Sequence, residues 1–376
     1  MSGRRKLVVC AALALGAPAG LAAPPVYSND FEDAAKVGKE WSATAVDTTP
    51  RGNRKFLGPF TTDKVTLKVG DLPKHKYVRI SLDLFVIQTW DGSAGVSPRG
   101  SQIGPDAWRM EVDGGAELVA HTFSNLDFEA GNIAKEAMTQ TFPALTPGPV
   151  HAAKTGAAET NTLGYEWSVG GRGLQPVDSV YKLTFTVPHD GPAIQFNFAG
   201  AENLQPADDE CWGLDNVKIE ALDAADLAPM DERQIAKLWG AIGGPDPAAE
   251  FAAFWQLVEA GDALPAFLKA RVRKSEVDRK RFAKLVLAMD GDDFAAREKA
   301  TEDVAALGPA AEALIREAVG HSESLEVKTR LMAALKKLNT APPNDPEQRT
   351  RAIALRLLGL VGTDQAKKVA LELSGK

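Results

Sequence analysis

"ECWGLDNVKIE" (residues 210–220) is the stretch on which the fold turns. It opens with an acid, a tryptophan and a glycine, and ends in polar–apolar alternation just before the chain changes its hydrophobic period. A period of two puts successive side chains on opposite faces of a strand, one row for a core and one for solvent. The same alternation runs through "KVTLKV" (64–69), "RISLDLFV" (79–86), "VYKLTFTV" (180–187) and "AIQFNF" (193–198). Turns rich in Gly and Pro, such as "GDLPKHK" and "VPHDGP", separate these runs. Strands with no helical pattern between them predict an antiparallel all-β sandwich of jelly-roll type, closed by residues 210–220.

After "ALDAADLAP" the period becomes that of a helix. Ala296, Ala300, Val304 and Leu307 recur at helical spacing, as do Val327, Leu331, Leu335 and Leu338, and then Ile353, Leu357 and Leu360. Breakers at 243–247, 290–293, 307–309 and 341–346 divide these stripes. Helix pairs recurring roughly every 30–45 residues suit a short α-solenoid. The expected chain is multidomain: a β-sandwich over 24–224 and an all-α helical repeat domain over 225–376. A small, polar linker near 223–228 predicts that the two fold independently.

With 376 residues the chain is long enough for two cores, and 44% hydrophobic with 25% charged residues fits a soluble globular protein. Residues 225–376 hold 23 basic and 23 acidic side chains, so the net charge of −7 falls wholly on residues 1–224. An acidic first half argues against nucleic acid and anionic membrane surfaces as partners, and suits a cation. The start, "MSGRRKLVVCAALALGAPAGLAAPP", has Arg4, Arg5 and Lys6, an apolar run and small residues at Ala22 and Ala23. That is a secretory signal peptide over 1–23. It predicts a secreted or periplasmic protein whose mature form keeps Cys211 as its only cysteine and has no membrane span.

Residues 292–338, with the "LGPAAE" turn and the "SLEVKTR" restart, resemble the HEAT-like repeats of exported bacterial proteins. That resemblance implies a helical scaffold for protein interaction. "NDFED" (29–33), "DLFVIQTWDG" (83–92) and "WGLDNVKI" (212–219) together resemble jelly-roll modules of MAM-like and carbohydrate-binding type. This second resemblance implies a structural Ca²⁺ shared by Glu32 of the first strand and Asp215 of the last.

Asp30, Glu32, Asp208, Asp209, Glu210 and Asp215 crowd the two ends of the sandwich segment. Hard oxygen ligands of this kind suit Ca²⁺; acids of solvated turns are the plainer alternative. Trp90, Asp91, Asp106 and Trp108 flank a loop, and aromatic rings beside polar groups make a platform for sugar. The same rings would equally serve as sandwich core, as is expected of Trp41, Trp167 and Trp212. "MEVDGGAE" (110–117) puts Glu111 and Asp113 on one face, as the carboxylates of a jelly-roll glycosidase require. The histidines lack zinc spacing, and there is no serine elbow or P-loop. The expectation is an exported non-enzymatic binding protein whose partner is a carbohydrate or a cell-surface protein. Its rivals are a pure protein–protein scaffold and a glycoside hydrolase using Glu111 and Asp113.

Overall fold

A computed structural model describes residues 24–93, 100, 103–129, 134–169, 173–272, 279–307, 311–338 and 346–374. The signal peptide expected over 1–23 lies outside them, as does most of the 94–102 loop. The strands are β1 (Tyr27–Asn29), β2 (Val46–Thr48), β3 (Lys55–Phe60), β4 (Lys64–Val69), β5 (Tyr77–Gln88), β6 (Ala107–Val112), β7 (Glu117–Thr122), β8 (Thr139–Gln140), β9 (His151–Ala152), β10 (Glu159–Thr160), β11 (Glu166–Val169), β12 (Gly173–Pro176), β13 (Asp178–Pro188), β14 (Ile194–Gly200) and β15 (Glu210–Leu222). The helices are α1 (Glu232–Trp239), α2 (Pro247–Val258), α3 (Ala263–Arg271), α4 (Arg279–Ala288), α5 (Phe294–Ala305), α6 (Glu312–His321), α7 (Leu325–Lys337), α8 (Pro346–Val361) and α9 (Asp364–Ser374). The β-then-α order read from the sequence is present.

The larger sheet runs β10-β13-β5-β15-β3-β2, with β1 also on β15, and the smaller runs β4-β14-β6-β7. Their pairings are antiparallel. Strand β5 is central and almost continuously buried, because elements cover both of its faces. On one face Ile80, Leu82 and Leu84 lie in register with Phe185, Leu183 and Tyr181 of β13, and Leu84 also with Leu214 of β15. That face meets the smaller sheet, where Trp212 lies edge-on to Trp108 at 6.0 Å. On the other face Phe85 and Ile87 pack with Phe56, Leu163 and Cys211. A Cβ on Gly213 would fall 2.2 Å from the Phe56 ring, so glycine is required there by a neighbouring side chain rather than by a tight turn.

The apolar core does not stop at residue 224. Phe251 and Trp255 of α2 meet Phe185 edge-on at 6.4 and 4.7 Å, and Phe142 lies 5.0 Å from Phe251. One cluster of buried residues runs from the sandwich through α2, α3, α8 and α9. Within it the buried Glu250 of α2 holds Arg349 of α8 by two bonds of 2.8 and 2.7 Å. Helices α4–α7 have a core of their own, with Phe282, Val304, Ile315, Val327 and Leu331. The stretch that resembles HEAT-like repeats falls within this second group. No helix among the described residues is long and apolar enough to cross a membrane.

A chain cut after residue 224 would leave Phe142 and Phe185 without the α2 rings that cover them. That fragment is expected to lose the cooperative thermal unfolding of the full chain, as followed by circular dichroism. A sharp transition in the fragment would show that the helices add nothing essential to the sandwich.

Candidate metal site

The site lies where β5 ends. Beyond Gln88 the chain turns inward, and Trp90 is fully buried, its Nε1 donating to the carbonyl of Cys211 at 3.0 Å. Asp91 follows at once, bridged to Ser124. A Cβ on Gly92 would sit 2.1 Å from the Thr139 carbonyl, and its φ of 75° is in the left-handed region. The "WDG" run therefore has a ring for the core, an acid for the site and a glycine for close passage. On the far side of the loop, Asp106 immediately precedes β6 and Trp108 enters the core two residues later. Glu210 stands in the same relation to Trp212 at the start of β15.

Oxygens of Asp91, Asp106 and Glu210 lie within 4.8 Å of one another. Asp106 is fully buried; its Oδ2 accepts from the backbone N–H groups of Asp91 and, at 3.2 Å, of Gly92. Its Oδ1 is buried with no hydrogen-bond partner. Glu210 accepts from the Gln205 amide at 2.8 Å and from its side chain at 3.3 Å. Beside it, Asp209 accepts from the hydroxyl of Thr89.

Burial first, and then the charges of Glu210 and Asp209, pushes Asp91 up to about 8. Burial also raises Asp106 and Glu210, with repulsion from neighbouring acids adding to the effect. Two like charges this close repel by about 3–4 kcal/mol at an effective dielectric constant near 20. The trio must therefore share protons or hold a cation. Hard carboxylate oxygens at this spacing match the ligand chemistry of Ca²⁺; without a cation, a proton shared between Asp106 and Glu210 is what satisfies these oxygens.

The residues singled out from the sequence divide differently here. Asp91 and Asp106 come together, joined by Glu210. Trp90 and Trp108 are fully buried and have no face for a sugar. Trp167, expected in the core, is 37% exposed, whereas Trp41 and Trp212 are buried as expected. Glu32 and Asp215 do not share a site: Glu32 accepts from the Lys55 backbone at 3.2 Å, and the buried Asp215 faces Arg54 at 3.3 Å. Arg54 also reaches Asp83 at 3.4 Å and Glu159 at 3.0 Å, so its guanidinium supplies the positive charge there. Glu111 and Asp113 converge on the Asn197 side-chain amide at 3.0 and 3.2 Å, as two exposed residues. Glu210 was in view in the sequence but without a place. The signal for it is an acid one or two residues from a buried tryptophan, three times over.

No family model and no curated protein matches the chain. Among solved structures it is similar to a family GH115 4-O-methyl-α-glucuronidase with specificity for decorated arabinogalactans, at a TM-score of 0.24 and 13% identity over 55% of this chain and 19% of that one. It is also similar to an exo-β-1,3-galactanase from Phanerochaete chrysosporium, at 0.22 and 8% identity over 52% and 29%. A third is the enzymatically active domain of bacteriophage CBA120 tailspike protein 4, at 0.20 and 11% identity over 51% and 20%. The chain thus spans less than a third of the length of each. All three are described as enzymes; the expectation of a non-enzymatic protein is withdrawn.

The acid trio makes a prediction about pH. In chelator, a carboxylate whose folded value is raised keeps a proton that the unfolded chain has released. Stability should therefore fall as pH rises above about 4, with Asp91's share of the loss complete above its folded value of about 8. Calcium is expected to flatten this fall, since the cation replaces the protons. Thermal melts from about pH 5 to about pH 9, in EDTA and in millimolar Ca²⁺, check it; superimposed curves would leave the acids as proton-sharing groups only.

Proposed function

We propose that the sandwich is a calcium-dependent, carbohydrate-recognising module of an exported protein, with the ion held by Asp91, Asp106 and Glu210. The observation that carries this reading is the carboxylate trio, with Asp106 and Glu210 buried and one Asp106 oxygen unpartnered. An ion there would tie Asp91 beyond β5 and Asp106 before β6 to the last strand, and so fix that end of the sandwich. Trp167 is the one exposed tryptophan of seven, and it stands on the β11–β12 ribbon opposite Gln175. A pyranose face stacking on that ring would supply the contact that the buried Trp90 and Trp108 do not.

The helical part fits a second role in the same protein. Leu287, Phe294, Leu325 and Met332, on α4, α5 and α7, are each more than half exposed. Exposed apolar side chains on a separately packed helical group suit a protein partner at the cell surface or in the periplasm.

The test is retention of the full chain on a polysaccharide array in calcium and in EDTA. Binding is expected in calcium, lost in EDTA and in Asp106→Asn, and weakened about tenfold in Trp167→Ala. Thermal stability should rise by about 2.7 kcal/mol at a hundredfold excess of calcium over its Kd. An array that stays silent in both conditions removes the carbohydrate reading.

A further inference from the structure

A second polar pocket, of about 430 Å³, opens between β7, the 141–149 segment and α8. At one side stands Arg356, whose Nη1 donates to the Leu145 carbonyl at 3.3 Å while its guanidinium lies over the Phe254 ring at 5.0 Å. Among the described residues no carboxylate comes within ion-pair distance of it, and Glu117, which lines the same pocket, offsets its charge only from farther off. Thr146 lines the same pocket at 7% exposure, and its hydroxyl has no hydrogen-bond partner. His121 and Thr141 add polar edges, joined to each other at 3.2 Å. The remaining lining is largely apolar, from Ala120, Ala144 and Leu145 to Pro147.

We infer that this pocket binds a uronic acid, with Arg356 taking the carboxylate and the pocket's hydroxyl, imidazole and carboxylate groups taking the sugar hydroxyls. The planar guanidinium offers two parallel donors to a carboxylate, and a partner that neutralises a half-buried arginine recovers what its desolvation costs. Burial pushes His121 down to about 4, helped by Arg356 and His151, so near neutral pH the imidazole is uncharged and Arg356 is the cation of the pocket. Glu117 also lines the pocket. It would repel a bare inorganic anion but accept hydrogen bonds from a polyol, which favours a carboxylated sugar over phosphate. The volume is in the range of small-ligand sites. The inference rests on the carbohydrate reading above only for the sugar part of the ligand; the carboxylate part stands on Arg356.

Calorimetric titration of the full chain in calcium buffer, with D-glucuronate, D-glucose and inorganic phosphate, tests it. Saturable glucuronate binding is expected, with glucose and phosphate each at least about tenfold weaker. Arg356→Gln should weaken glucuronate by about tenfold to a hundredfold, since a charge-assisted pair is lost. Thr146→Val, which keeps the side-chain shape, should weaken it several-fold with an unchanged melting temperature. That variant carries the test should Arg356→Gln fail to fold. Wild-type protein that does not saturate with glucuronate, or both variants binding like wild type, overturns the inference. Phosphate binding more tightly than glucuronate overturns the ligand class. The two readings fail separately: a silent polysaccharide array beside Arg356-dependent glucuronate binding removes only the module proposal. Array binding that depends on Trp167, without any glucuronate binding, removes only this one.

Discussion

The antiparallel pairing of β15 with β5 is the constraint on which the remaining structure rests. It sets Glu210 against Gln88, Trp212 against Val86 and Leu214 against Leu84. A slip of one residue would exchange the two faces of β15, sending the Trp212 ring out of the sandwich and a polar neighbour in. Because β5 is also paired along its length with β13, the error would spread across the sheet. The same register brings Glu210 beside the end of β5, where Asp91 follows three residues after Gln88. The carboxylate trio is therefore a product of long-range strand pairing. Nothing in it resembles a continuous calcium loop, in which local spacing alone places the ligands.

Hydrophobic burial and electrostatics pull against each other at this end of the sandwich. Trp90, Trp108 and Trp212 are all fully buried, and each is one or two residues from an acid of the trio. Burying these rings fixes the backbone beside them and draws the acids to the rim of the core, where water that would screen them is scarce. Each ring contributes on the order of a few kcal/mol of burial, against a similar cost for each pair of ionised acids. The conflict is relieved by protons at low pH or by a divalent cation. At the opposite face of the larger sheet the same problem has a different answer. There Asp83 and Asp215 are buried on adjacent strands, and Arg54 from the β2–β3 turn stands between them.

The β and α segments were legible because period 2 and period 3.6 are local properties of sequence. The extent of the core was not. The apolar stripe of α2, "PAAEFAAFWQLV", says that the helix is buried but not against what, and its partner Phe185 lies more than sixty residues away. At the site, Asp91 and Asp106 stood out beside Trp90 and Trp108 as a platform for sugar, while the cation was expected at Glu32 and Asp215. Assigning Asp215 to it fails on Arg54, a residue 161 positions distant whose presence no local pattern announces. Trp167 misled for the opposite reason. Its ribbon alternates like a core strand but among the described residues pairs with β12 alone, outside both main sheets, so its ring stays partly in solvent.

A run of hydrogen bonds leads from the backbone just beyond Asp91 to the Arg356 pocket. The Ser93 amide, two residues beyond Asp91, donates to the Thr139 carbonyl at 2.6 Å, and its hydroxyl meets that of Thr122 at 2.7 Å. Thr122 and Thr141 exchange bonds of 2.9 and 2.8 Å between backbone amide and hydroxyl, and Thr141 reaches His121 in the Arg356 pocket. These are short polar side chains with few rotamers, and Thr122 and Thr141 each precede a ring, Phe123 and Phe142, which stack at 5.0 Å. The first residue of that chain connects to Asp91 through the backbone of Gly92, and its last member lines the second pocket. Such a chain transmits an effect only if one of its members has two arrangements of comparable energy. The member best placed for that is the Ser93–Thr122 hydroxyl pair, where either oxygen can donate and the bond reverses when both hydroxyls turn.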